Sequence, residues 1–175
     1  MKKVLFLFCF LFFILSIAEG VFIWNNKAIL FPGKPLPVPK PLLIYSFENL
    51  KKDTFPSTQI VLGQQMSKST NSFSQVFFYQ TPDKPNSKTL ETVSGLMNLP
   101  SKPGTYPVIV MFRGFVPDNI YSPGIGTEPV AKVLADNGFI TLAPDFLGYA
   151  QSSPGAKDSF ENRFQTYTTA LSLLS

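Results

Sequence analysis

The sequence predicts an α/β fold in which antiparallel strands on the N-terminal side lead into a parallel strand–helix–strand–helix unit. Three observations carry this. Two apolar runs, Val108 to Phe112 and Phe139 to Ala143, the first continuous and the second broken only by Thr141, have the pattern of strands buried on both faces of a sheet. Segments with helical periodicity follow each run. Four strand-like segments, separated by turn-forming residues, come before them.

The chain begins Met1-Lys-Lys3, then runs from Val4 to Ala18 without a charge, the form of a signal sequence. Ser16-Ile17-Ala18 would pass as a small-x-small cleavage site. The apolar stretch resumes at Val21-Phe-Ile-Trp24, so Val4 to Trp24 could instead span a bilayer core of roughly 30 Å at about 1.5 Å per residue. Glu19 opposes this, while Trp24 fits an interfacial anchor and Lys2 and Lys3 would hold the N-terminus inside. An uncleaved anchor is the favoured expectation, with secretion after cleavage at Ala18 as the alternative; both export the remainder, and the membrane is the expected partner. The reading divides the chain into a signal sequence or anchor (1–27), a proline-rich spacer (28–42) and a folded part (43–175). In the spacer, Phe31-Pro-Gly-Lys-Pro-Leu-Pro-Val-Pro-Lys-Pro41 alternates prolines that fix φ and remove donors, which favours a stiff polyproline II rod.

Strands are expected at Leu42–Phe47, Gln59–Leu62, Ser74–Gln80 and Thr89–Leu99, the last with a bulge at Gly95. Thr81-Pro-Asp-Lys-Pro-Asn-Ser87 is a turn by composition. After the Val108 strand, Thr127 can cap a helix with Glu128 and Pro129 in its first turn, and Gly138 can end it. Its apolar positions are Val130, Val133, Leu134 and Phe139. After the Phe139 strand, Asp158-x-x-Glu161 has the form of a capping box. Phe160, Phe164, Tyr167, Leu171 and Leu174 then make one stripe at helical spacing. Ser175 falls in or just after that helix with no glycine cap, proline stop or closing strand, so the folded part is expected to be incomplete.

Composition narrows function. Net charge is +4, and Lys2 and Lys3 account for half of it. The remaining basic residues are scattered, without the clustered face that nucleic acid needs. The one cysteine, Cys9, lies in the apolar N-terminus, so neither a disulfide framework nor a cysteine-based zinc site is available to the rest. No metal or cofactor is expected. There is no histidine, no Gly-x-Ser-x-Gly and no Ser-x-x-Lys. Ile120-Tyr-Ser122-Pro-Gly124 has one glycine of a nucleophile elbow but does not follow a strand, and Gly124-Ile-Gly126 lacks the third glycine of a dinucleotide fingerprint.

From Gly95-Leu-Met-Asn-Leu-Pro100 through Tyr106-Pro-Val-Ile-Val-Met-Phe-Arg-Gly-Phe115 to Ala143-Pro-Asp-Phe-Leu-Gly-Tyr-Ala-Gln-Ser152, the chain resembles exported α/β-hydrolases of the prolyl-oligopeptidase-like type. That group includes the dipeptidyl- and acylaminoacyl-peptidase branch and esterase relatives. The resemblance covers about Leu43 to Ser175 and implies an α/β-hydrolase-type sheet, here cut before the nucleophile elbow. It implies a serine hydrolase acting on peptide or ester substrates, with no catalytic residue in this chain: nucleophile, acid and histidine base would all lie beyond it. The family usually has His-Gly where this chain has Arg113-Gly114, and the next N–H helps form the oxyanion hole, which maps to Phe115. Arg113, Gly114 and Asp145 then belong to supporting loops. Asp145 is not the triad acid by this resemblance, because that acid follows the nucleophile in chain order. Ala150 stands where a glycine is common. A non-catalytic, membrane-anchored interaction domain with part of a hydrolase fold is the alternative, and either chain alone is expected to be inactive.

Overall fold

The computed structural model describes residues 2–27 and 39–175, with side chains from Phe10 onward. Most of the proline-rich spacer lies outside the described residues. The chain divides into two units, 1–40 and 41–175.

The first unit contains helix α1 (Lys2–Asn25). From Phe10 on its apolar side chains are exposed on all sides, Phe12 and Trp24 each at 76%. Among the described residues no helix is long and apolar enough to cross a membrane. The expected membrane-spanning anchor therefore gains no support from them.

The second unit is built on a five-stranded mixed sheet. Its strands are β1 (Val61–Lys68), β2 (Ser72–Pro82), β3 (Leu90–Pro100), β4 (Val108–Val110) and β5 (Ile140–Pro144), in the order β1-β2-β3-β5-β4. Pairings are antiparallel except β4 with β5, which is parallel. Helix α3 (Glu128–Asp136) joins β4 to β5, and α4 (Ser159–Leu174) follows β5. The strand–helix–strand–helix unit is thus present, beside a sheet that is mostly antiparallel.

Several expectations change. Leu42–Phe47 is not a strand: Pro41–Tyr45 is a 3-10 turn and Phe47–Leu50 a short helix, α2. The Asn49 side-chain amide closes this turn onto the Leu43 carbonyl at 2.7 Å, a local bond that replaces strand pairing. The strand expected at Gln59–Leu62 starts at Val61 and continues through polar Gln64 to Lys68 as an exposed edge, irregular in register around Gln65. Such irregularity and a terminal lysine blunt an open edge.

No bulge interrupts β3 at Gly95. The β2–β3 register is unbroken, with Gly95 opposite Phe77. The glycine is there for close approach: a Cβ would lie 2.5 Å from the Phe77 ring and 2.7 Å from the Ala143 carbonyl oxygen. Nor is β4 buried on both faces. It is an edge strand, with Val108 exposed.

The two faces of the sheet differ. On one, Phe77, Tyr79, Val93, Met97, Leu142 and Leu147 form the core, with Leu173 of α4 against them. On the other, Ala131 and Ala135 of α3 are fully buried, while Val130 and Val133 are exposed. Small residues bring α3 close to the sheet, so the buried face is one position round from the expected valines. Helix α4 departs further. Gln165, Thr168, Thr169 and Ser172 are its buried residues, whereas Phe160, Tyr167 and Leu174 of the expected stripe are exposed. The reason lies in β2, which offers polar partners: the Tyr79 hydroxyl donates to the Thr169 carbonyl at 3.1 Å, and Thr81 and Ser172 hydroxyls meet at 2.9 Å. Satisfying those groups fixes the helix rotation, since a buried hydroxyl without a partner is costly. Phe164 is half-buried and stacks on Tyr45 with centroids 5.8 Å apart. Asp158 caps α4 by accepting from the Phe160 and Glu161 N–H groups. Glu161 turns away to accept from the Tyr45 hydroxyl at 3.4 Å, so only half of the capping box forms.

Candidate functional site

The parallel strands β4 and β5 release two loops at their carboxyl ends, the usual place for a ligand crevice in an α/β sheet. The first carries Phe112-Arg113-Gly114-Phe115 and continues to Tyr121. The second runs from Asp145 to Ser153. Phe112 and Phe146 stack across the two at 6.2 Å.

Arg113 ties them together. One guanidinium nitrogen donates to the Asp145 main-chain carbonyl and the other to the Gly114 carbonyl, each at 3.0 Å. The guanidinium sits beside a pair of edge-to-face rings, 4.4 Å from the centre of Tyr121 and 4.2 Å from that of Tyr149, whose own centres are 4.8 Å apart. Contact with aromatic rings and fork-like donation together suit arginine and not lysine. The Tyr149 hydroxyl adds a third tie, donating to the Val116 carbonyl at 3.1 Å.

Asp145 is fully buried. Its carboxylate accepts from the Ser94 hydroxyl at 2.6 Å and from the Tyr121 hydroxyl at 2.5 Å. Its N–H donates to the Ser94 carbonyl. The Ser152 hydroxyl accepts from the Ser94 N–H at 3.0 Å, linking the far end of the loop to β3. Burial pushes the Asp145 carboxyl above the usual range, opposed by the two hydroxyl donors and by the Arg113 charge. Burial, and then the bond to Asp145, push the Tyr121 phenol up. Tyr121 therefore stays a neutral donor, and the cluster acts as a brace.

The second loop bends through left-handed backbone at Phe146 (φ 71°), Gly148 (φ 83°) and Ala150 (φ 48°). Glycine takes this conformation freely, while a side chain costs roughly 1–2 kcal/mol. Ala150 thus adopts the backbone that a glycine would favour. Phe146 is held there as its ring packs on Phe112 and under Arg113.

Phe115 sits at the outer end of this clamp, 74% exposed, and its N–H meets no acceptor among the described residues. It lines a cavity of about 660 Å³ together with Arg113, Gly114, Phe146, Tyr149 and Tyr167. The structure thus brings Arg113, Gly114, Phe115 and Asp145 to one place. Ser94 and Tyr121 were not singled out by sequence reasoning. Both contacts span more than twenty residues of chain, and no local pattern points to them. Among the described residues no His, Cys, Asp or Glu cluster could hold a metal ion.

No family model matches the sequence, and no curated protein matches it. Among solved structures, the chain is similar to a rice cell wall degrading esterase, LipA, from Xanthomonas oryzae: 15% identity, TM-score 0.40, 69% of this chain and 39% of that one. A ligand-bound form of the same esterase gives 14% identity and TM-score 0.39. A candidate hydrolase from Legionella pneumophila gives 18% identity and TM-score 0.39, over 66% of this chain and 40% of that one. The chain thus spans about two fifths of the length of the structures it matches.

Proposed function

We propose that residues 43–175 form the oxyanion-side part of an α/β-hydrolase, an acyl-transfer enzyme of the prolyl-oligopeptidase-like group acting on ester or amide carbonyls. One observation carries the reading: Arg113 draws together the loops after two adjacent parallel strands, and Phe115, whose N–H meets no acceptor among the described residues, lines the cavity beside them. A fixed donor aimed where charge develops is what acyl transfer requires. Such donors must not move during the reaction, and the Arg113 clamp and the Asp145 brace hold this loop from both sides.

A nucleophile and its base are the other half of the chemistry. With no histidine among the 175 residues, the base comes from outside them, and so does the serine of a Gly-x-Ser-x-Gly elbow. Edge strand β4 has one side open to a further parallel strand, the position from which an elbow would reach Phe115. A fluorophosphonate probe should label the translation product of the whole locus at one serine and leave the 175-residue chain unlabelled. Absence of labelling in the longer product sinks the reading.

The proposal includes a location. The N-terminal apolar segment holds the protein at the membrane with the folded unit outside the cytoplasm; secretion after cleavage at Ala18 is the alternative. The run of exposed large apolar side chains on α1, interrupted by Ser16 and Glu19, is what supports an apolar environment for it. Carbonate-washed membranes should retain the protein with Met1 or Lys2 at its N-terminus. Soluble protein beginning at Glu19 would establish the secreted form.

A second reading, a non-catalytic interaction domain, is favoured by one observation: Phe160, Tyr167 and Leu174 form an outward apolar stripe on α4. A whole-locus product without an elbow serine, but still folded, would decide for it.

A further inference from the structure

The cavity beside Arg113 has a chemical character of its own. At about 660 Å³ it falls in the size range of small-molecule sites. Its wall combines aromatic faces, from Phe112, Phe115, Phe146, Tyr149 and Tyr167, with two cations, Arg113 and Arg163. None of the lining residues is Asp or Glu. Asp145 does not neutralise this wall by direct pairing. Its oxygens are taken by the Ser94 and Tyr121 hydroxyls, while the Arg113 amino groups go to main-chain carbonyls. The Arg113 Nε–H is buried and meets no acceptor among the described residues. Its burial keeps that N–H from a ligand in the cavity, so what Arg113 offers there is its charge, for which an anionic oxygen is the best counterpart.

We propose that this cavity binds an organic anion with an aromatic or short acyl body, its carboxylate on the arginine wall and its apolar body against the aromatic faces. The two halves of the wall need different things. The rings give sequence-independent apolar contact that any hydrophobic ligand could use. The arginines add discrimination for charge, because a neutral ligand that displaces water from them leaves their donors unpaired. Arg113 is held by its two carbonyls beside the Tyr121 and Tyr149 rings, so it offers a fixed charge. Arg163 is exposed on α4 and lines the same cavity. Binding stands on the cavity alone; its extension to acyl substrates that carry a negative charge rests on the hydrolase reading above.

The test is calorimetric titration of the full chain with 1-naphthoate and with its neutral isostere 1-naphthamide. Naphthoate should bind about tenfold more tightly, equivalent to about 1.4 kcal/mol. The preference should shrink in high salt, as expected for a partly exposed cation. In Arg163→Gln, an exposed position outside the loop clamp, it should fall to about threefold or less, roughly a halving of the free-energy difference. Arg163→Lys should keep most of it. Equal affinity for the two ligands, or no binding of either, overturns the proposal, as does an unchanged preference in Arg163→Gln. A chain that prefers naphthoate while the longer product fails to react with a serine probe keeps the anion site and loses the hydrolase reading.

Discussion

Replacing Gly95 with alanine tests how tightly the sheet is packed beneath the site. The added Cβ would lie 2.5 and 2.6 Å from two carbons of the Phe77 ring and 2.7 Å from the Ala143 carbonyl oxygen. Neither neighbour yields easily. Phe77 is fully buried in the core, and Ala143 is main chain of β5, paired to β3 beside Gly95. Overpacking of this kind costs typically about 1–3 kcal/mol, and contact with backbone argues for the upper part of that range. Restricting the unfolded chain returns about 0.4–1 kcal/mol, so the net loss should be about 1–2 kcal/mol. Against a total stability of roughly 5–15 kcal/mol, that is readily measured. Gly114→Ala is the internal control, since a Cβ there meets nothing within 4 Å. Urea titration followed by far-ultraviolet circular dichroism should show a lower midpoint for Gly95→Ala, with unchanged slope, and no loss for Gly114→Ala. A neutral Gly95→Ala would mean that β3 bulges away from Phe77, and would refute the register described above.

Asp145→Asn should flatten the pH dependence of stability. Because burial raises the Asp145 value in the folded state, its contribution is complete below the ordinary value of 3.8 and is lost as pH rises through the raised one. The urea midpoint of the parent should therefore fall across that window relative to the asparagine variant; parallel curves would argue against a raised value. Thr81→Val and Ser172→Ala should each cost about 1–3 kcal/mol by stranding a buried hydroxyl, while the double variant should cost less than their sum. Strict additivity would indicate that the polar face of α4 does not meet β2.

The parallel unit was legible because its signals are local. Val108 to Phe112 and Phe139 to Ala143 are apolar runs, and both give strands, with Gly138 in left-handed backbone at the intervening helix end. The rotation of the helices was not legible. Periodicity names the apolar face of α4, yet Thr81 and Tyr79 on β2 draw Ser172 and Thr169 inward instead. At α3, alanines at 131 and 135 win because closeness to the sheet matters more than side-chain size. The Leu42–Phe47 segment carries strand-like residues, but Pro41 and Asn49 settle it as a turn. At the site, Arg113, Gly114, Phe115 and Asp145 could be named from their motifs, whereas Ser94 and Tyr121 enter only through folding. The contact of Arg113 with an aromatic pair has no sequence signature, since Tyr121 and Tyr149 lie on separate loops.

The central claim is that the Phe115 N–H serves a developing oxyanion, and turnover of a p-nitrophenyl ester tests it most directly. The 175-residue chain should show no serine-inhibitor-sensitive turnover. The whole-locus product should turn the ester over, and its Phe115→Pro variant should lose roughly 100- to 1000-fold in kcat relative to Phe115→Ala, which also lacks the ring but keeps the N–H. Inhibitor-sensitive activity in the 175-residue chain, or an undiminished kcat in a folded Phe115→Pro variant, would contradict the account.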